Sequence, residues 1–412
     1  MLKLIKGGTL LDCTGSAPKQ NFSVLIDGDK IVALGPEESV RVTTDDVSVF
    51  DASNMTIMPG LIDCHVHITG DGDPNILKSL KELVPHAAIK AANNARLSIE
   101  AGFTTLRDAG AASLIDVGLK NAINEGLVPG PRLFAAGRAL SITGGHGDAQ
   151  NGYPPEIVFA RRYVVDSPDE ARKAAREQLR DGADHIKLCA TGGVMSFGSV
   201  PTARGMTVEE MRAAIEEANN VGKKSMAHAQ GSNGIKNAIL AGISSIEHGY
   251  HLTDEIIELM LARDVFLVPT LAAVHHIVEH GLEAGIPEYG VRKAKEGQQA
   301  HLASFRKALE AGIKIAMGTD AATPFNYHGK NALEFELMVE AGMSPEDAIY
   351  SATRLGAELI GILDKVGTLE KAKLADIIVV EGDPLQDIRV LQSIDKIKMV
   401  MKNGEIVVNR GV

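Results

Sequence analysis

The segment LIDCHVHI (61–68) carries two histidines two residues apart, His65 and His67. Residues i and i+2 of a strand share a face, so both imidazoles can reach one metal ion. Alone, such a pair is a weak signal. Four further residues strengthen it, each at the polar end of a short apolar run: Lys187 in HIKLCA (185–190), His228 in KSMAHA (224–229), His248 in SSIEHG (244–249) and Asp320 just after KIAMGT (314–319). Taken singly, His228 and His248 read as hydrogen-bonded core histidines and Asp320 as a helix cap. Taken together, four neutral imidazoles and one carboxylate suit zinc, and also cobalt, manganese or nickel.

Lys187 is the odd member. A buried ammonium without a partner is costly, and it would repel a cation. It can join the set only if its nitrogen gains a negative head. Burial and nearby cations lower a lysine pKa, and a deprotonated amine can add carbon dioxide to give a carbamate, a bidentate oxygen ligand. Spacing alone does not suggest that step.

The elements that must position these residues alternate. Candidate strands at 61–68, 104–109, 132–137, 185–190, 224–229, 244–249, 265–270 and 314–319 are separated mostly by helical patterns. The segments 167–182, 207–222 and 253–264 open on Ser or Thr caps, and a fourth helix is predicted over 297–312. The predicted fold class is α/β: a (β/α)8 TIM barrel over 59–366, with its site at the C-terminal ends of the strands. A doubly wound open sheet is the alternative, but no GxGxxG turn follows the first strand. Residues 1–58 and 367–412 alternate like antiparallel strands, with turns at Gly28-Asp29 and Asn403-Gly404. They predict a small β-sandwich domain built from both termini.

The 412 residues, 45% hydrophobic and 23% charged, describe a globular chain long enough for one large and one small domain. A net charge of -11 argues against nucleic acid as a partner. Neither a signal peptide nor a membrane span is expected. The three cysteines, Cys13, Cys64 and Cys189, match no zinc or redox spacing and fit a reducing, cytoplasmic setting.

The combination of HVH, the strand-four lysine, HAQG, EHG and GTDA resembles the binuclear amidohydrolase superfamily, over essentially the whole chain. ITGGHGD (142–148), KLCATGGVMS (187–196) and GTDAATPFNYHGKN (318–331) are most similar to its prolidase-like and arginine carboxypeptidase-like subgroup. Those relatives cleave Xaa-Pro or Xaa-Arg/Lys. Ochratoxin-type amide hydrolases lie near it, and imidazolonepropionases share parts of the pattern. The resemblance implies two divalent ions. His65, His67 and Asp320 would hold one, His228 and His248 the other. A carboxylated Lys187 and a hydroxide would bridge them. Asp320 would accept the hydroxide's proton and pass it to the departing amine.

The implied function is amide hydrolysis of a dipeptide or N-acyl amino acid, releasing the C-terminal residue. The alternative is a cyclic amide, carbamate or xenobiotic amide. A mononuclear deaminase is disfavoured by Lys187 and by Gln230 in HAQG, and a non-catalytic scaffold by the complete ligand set. Substrate-binding candidates are His146 in the glycine-rich loop, Arg204 as a carboxylate clamp, Gln230, Tyr250 and His328. Some proline-cleaving relatives have tyrosine where this chain has Gln230, so proline specificity is not inherited. Arg107 and Asp108 are expected to pair with each other or to support the ligands. His275 and His276 are not expected to be ligands. A small-molecule partner and homo-oligomerisation complete the expectations.

Overall fold

The computed structural model describes residues 2–42, 46–75, 78, 81–157 and 164–412. From the first part of the chain come strands β1 (Leu2–Leu10), β2 (Lys19–Asp27), β3 (Lys30–Pro36), β4 (Val47–Asp51) and β5 (Met55–Pro59). The middle supplies β6 (Leu61–Val66), β7 (Phe103–Asp108), β8 (Arg132–Phe134), β9 (His185–Cys189), β10 (Lys224–Ala229), β11 (Ser245–His248) and β12 (Phe266–Val268). The last part supplies β13 (Ile377–Glu381), β14 (Ile397–Lys402) and β15 (Glu405–Asn409).

Both ends of the chain enter one sheet, in the order β15-β14-β13-β5-β1-β2-β3, with β4 beside β1. Its tight turns fall where the sequence places them. Asn403 and Gly404 both have positive φ, 51° and 74°, between paired Lys402 and Glu405, the geometry that a two-residue hairpin favours. Alternation along the strands divides two cores. Ile57, Ile377, Val379, Met399 and Met401 pack with Ile5, Val24 and Ile26. Their neighbours Met58, Ile378, Val380 and Val400 pack into the large core of the middle segment.

The middle strands are parallel. They form a four-stranded sheet, β12-β11-β10-β9, and a three-stranded sheet, β6-β7-β8. Their near-continuous burial is what a parallel sheet covered on both faces requires. The predicted strand at 314–319 is not a regular strand. Its backbone bonds to both sheets all the same: Ala316 N donates to Leu267 O at 2.9 Å and Cys64 N to Met317 O at 2.9 Å. On the opposite side, Leu140 N donates to Lys187 O and Cys189 N to Leu140 O, each at 2.9 Å.

The predicted helices appear as Pro168–Arg180, Val208–Asn220 and Asp254–Ala262, each with the hydroxyl of Ser167, Thr207 or Thr253 capping its N-terminus. The fourth is longer than predicted, Glu288–Glu310. Gly297, read from sequence as its start, lies inside it. A Cβ there would come within 2.9 Å of the Tyr250 ring, so the glycine serves close packing and does not end the helix. Among the described residues no helix is long and apolar enough to cross a membrane.

Candidate active site

His65, His67, Lys187, His228, His248 and Asp320 all line one cavity of about 330 Å³. They come from the ends of β6, β9, β10 and β11 and from the segment after residue 319. Ring centroids of His65 and His248 are 5.2 Å apart, and those of His228 and His248 are 4.7 Å apart.

Each imidazole has one nitrogen committed away from the cavity. His65 Nδ1 lies 2.6 Å from Glu247 Oε2, and His67 Nδ1 lies 3.2 Å from Gly110 O. His228 Nε2 lies 2.8 Å from Gly192 O. These partners only accept, so the ring nitrogens donate. His248 Nδ1 lies 2.7 Å from Thr270 Oγ1, whose own proton goes to Pro269 O at 2.7 Å. That ring donates as well. Four lone pairs remain: Nε2 of His65, His67 and His248, and Nδ1 of His228. This pattern of outer hydrogen bonds is what orients imidazoles as metal ligands.

Asp320 Oδ1 is buried and accepts no hydrogen bond among the described residues. It lies 3.4 Å from His65 Nε2 and 3.3 Å from His67 Nε2. An anionic oxygen against two lone pairs is favourable only with a positive charge among them. His65, His248 and Asp320 present donor atoms within 4.8 Å of one another. The donor set therefore fits a divalent ion. His248 and Asp320 also sit at positive φ, 72° and 57°, a strained conformation for such residues that functional sites retain.

A second layer of buried charge supports β6. Glu247 takes Arg107 Nη2 at 3.1 Å and Ser245 Oγ at 2.5 Å in addition to His65. Burial alone would raise its pKa, but Arg107 and the His65 bond outweigh it and hold the carboxyl at about 2. Asp63 accepts from Thr319 Oγ1 at 2.6 Å and Asn331 Nδ2 at 2.7 Å, tying β6 to the Asp320 segment. Sequence reading passed over Glu247, Asp63 and Asn331. Arg107 and Asp108 do not bond to each other: Arg107 serves Glu247, and Asp108 accepts from the backbone N–H groups of Ile68 and Gly110.

Lys187 is 4% exposed, and its ammonium makes no hydrogen bond or ion pair among the described residues. Burial lowers its pKa, which favours the free amine. His146 stacks on His228 with centroids 4.0 Å apart. Burial, then Lys187, pushes its pKa down to about 4, so the ring is neutral at pH 7. Gln230 and Tyr250 line the cavity, and Gln230 Oε1 is buried without a hydrogen-bond partner among the described residues.

Two substrate candidates lie elsewhere. Arg204 is exposed and is not among the cavity-lining residues. Its backbone bridges to Thr191. His328 also stands outside the lining: its Nε2 bonds to His67 O at 3.1 Å and its Nδ1 to Ser98 Oγ at 3.3 Å, so it supports a ligand from behind. The arginine that does line the cavity is Arg138, which sequence reading missed. Val194, Met195, Val274 and Ile277 form an apolar wall. His275 pairs with Glu279 one helical turn away, outside the cavity lining.

A model of the amidohydrolase family matches residues 56–407. The chain belongs to the amidohydrolase family. This amidohydrolase is 36% identical to a Xaa-Pro dipeptidase solved with methionine in its active site, with a TM-score of 0.94 over 99% of this chain and 100% of the other. It is 33% identical to ochratoxinase of Aspergillus niger over 99% of this chain and 87% of the relative. Imidazolonepropionase of Geobacillus kaustophilus is 26% identical over 95% of this chain and 91% of its own length.

Proposed function

We propose that this amidohydrolase uses two divalent ions to cleave the amide bond of a dipeptide or N-acyl amino acid, releasing the C-terminal amino acid. The observation that carries the reading is one cavity lined by four oriented imidazole lone pairs, by Asp320 Oδ1, and by a buried Lys187, where among the described residues neither Asp320 Oδ1 nor the Lys187 ammonium has a hydrogen-bond partner. His65, His67 and Asp320 would hold one ion and His228 and His248 the other, with carboxylated Lys187 shared. When bound, such ions acidify water and polarise a carbonyl.

The chain's own groups do the rest. Asp320 accepts a proton from the attacking water and returns it to the departing amine. With Ser196 Oγ donating to its Nδ1, His146 keeps its proton on Nε2 and offers a hydrogen bond at the scissile carbonyl. Gln230 meets the substrate amide with its unpartnered carboxamide oxygen. Arg138, not Arg204, faces the substrate carboxylate, for which a guanidinium fork is suited. The apolar wall of Val194, Met195, Val274 and Ile277 favours an apolar side chain on the released residue. That same wall supports a second reading, a non-peptide aromatic or cyclic amide.

The proposal includes the architecture. The bonds that join residues 314–317 and 140 to the two parallel sheets support a closed (β/α)8 barrel over 59–366. β1 gives its first half to β4 and its second half to β5, which supports a sandwich-like fold-over of 1–58 with 367–412.

A panel of N-acetyl amino acids and dipeptides varied at the C-terminal residue tests the function, with metal content measured in parallel. Release of the C-terminal amino acid is expected. A metal-loaded enzyme that leaves the whole panel uncut but opens a cyclic amide or a carbamate would select the second reading.

A further inference from the structure

Lys293 lies far from the ligands in sequence, on the helix Glu288–Glu310, and is 8% exposed. No carboxylate forms an ion pair with it among the described residues. Its ammonium instead donates to two carbonyls of one loop, Gly193 O at 3.2 Å and Ser196 O at 2.7 Å. The ammonium also lies 5.4 Å from the centroid of the Tyr289 ring, and without a carboxylate it is tolerable while those carbonyls stay in place.

The same loop reaches the site at three points. Gly192 O takes the His228 Nε2 proton at 2.8 Å, which leaves Nδ1 for the cavity. Gly193 lies so close to His146 that a Cβ would overlap the imidazole ring. Ser196 Oγ lies 2.6 Å from His146 Nδ1 and 3.0 Å from His146 O. Its single proton can serve only one of those acceptors. Given to Nδ1, it leaves an N–H on Nε2 for the cavity. Given to the carbonyl, it leaves a lone pair there. Ser196 thus sets the tautomer of His146, and Lys293 holds Ser196. At the loop's outer end Phe197 is 56% exposed and meets the Tyr289 ring edge-on at 5.6 Å.

We propose that Lys293 is a positioning residue: it fixes the Gly192–Ser196 loop over the ligand ring, and through Ser196 it fixes the His146 imidazole. The effect on turnover rests on the amide-hydrolase reading, whereas the effect on the loop does not.

The chain contains no tryptophan, so Phe197→Trp places a single fluorophore on the loop. In that background, with metals loaded, Lys293→Met is expected to raise acrylamide quenching about twofold, as a locally opened loop would. Lys293→Arg, which keeps several donors, restores the wild-type value. With N-acetyl-L-methionine as substrate, Lys293→Met and Ser196→Ala each lower kcat about 10–100-fold, with KM changing less. The double variant falls no further than the worse single one, because both act along one path. Unchanged quenching in Lys293→Met, or losses that multiply in the double variant, would overturn the proposal. Where Lys293→Met yields no folded protein, Lys293→Gln carries the same measurement. A protein that leaves N-acetyl-L-methionine and every other C-terminal amide uncut, yet shows the quenching change, keeps the loop proposal and loses the functional reading.

Discussion

The two halves of the ligand ring are built from different materials. Behind His65 and Asp320 stands a network of buried side chains: Glu247, Arg107, Ser245, Asp63, Thr319 and Asn331. Behind His228 stands the carbonyl of a glycine-rich loop, and behind His248 a single threonine hydroxyl. In the first half His67 rests on the Gly110 carbonyl, but His65 and the Asp320 segment are fixed by charges that cannot leave their partners without a large penalty. The second half is fixed by a loop carbonyl and one hydroxyl, and it shares the cavity with the apolar wall to which the proposed function assigns the released side chain. One side of the site is a rigid anchor. The other can vary without endangering the fold.

That contrast can be broken by removing one part from each half. The largest effect is expected for Glu247→Ala, which strands Arg107 in a fully buried position. Leaving one partner of a buried pair alone costs about 3–5 kcal/mol, and chemical denaturation should show it. Asp63→Ala removes acceptors from Thr319 and Asn331. Each stranded donor costs about 1–3 kcal/mol, so an intermediate loss of stability is expected in the same assay.

Thr270→Val, in the other half, strands a single donor, His248 Nδ1, and should cost about 1–3 kcal/mol, less than Glu247→Ala. Its metal affinity or kcat should fall about 10–100-fold, because His248 loses the bond that orients it. If Thr270→Val destabilised the protein as much as Glu247→Ala, the division into anchor and variable half would be wrong. The smallest effect concerns the substrate carboxylate. Arg138→Met should raise KM about tenfold, the worth of one charged hydrogen bond, for substrates with a free C-terminal carboxylate but not for their C-terminal amides. Arg204→Met, altering an exposed side chain, should leave both values within about twofold.

That these six residues line one cavity was legible because each joins a side chain able to bind a metal to an apolar run, and strand-helix alternation brings such runs side by side. The supporting layer followed from the same physics but was passed over. Glu247 in SSIEHG and Asp63 in LIDCHV are buried charges in apolar strands, as Lys187 is. The question asked of Lys187, where its partner lies, would have flagged them, and Arg107 with them. Arg138 and Arg204 were harder. Both follow strands, and only the path of each connection decides which one faces the cavity. Gly297 shows the opposite difficulty. A glycine that usually ends a helix here lies within one, because Tyr250 needs the room.

The central claim is that Lys187 joins the two halves as a shared anion. Metal content of wild type and Lys187→Ala, measured after growth in zinc and removal of free ion, tests it most directly. Two tightly held ions per chain are expected in the wild type, fewer in Lys187→Ala, with loss of amide hydrolysis in the variant. A Lys187→Ala protein that retains both ions and full activity would contradict it.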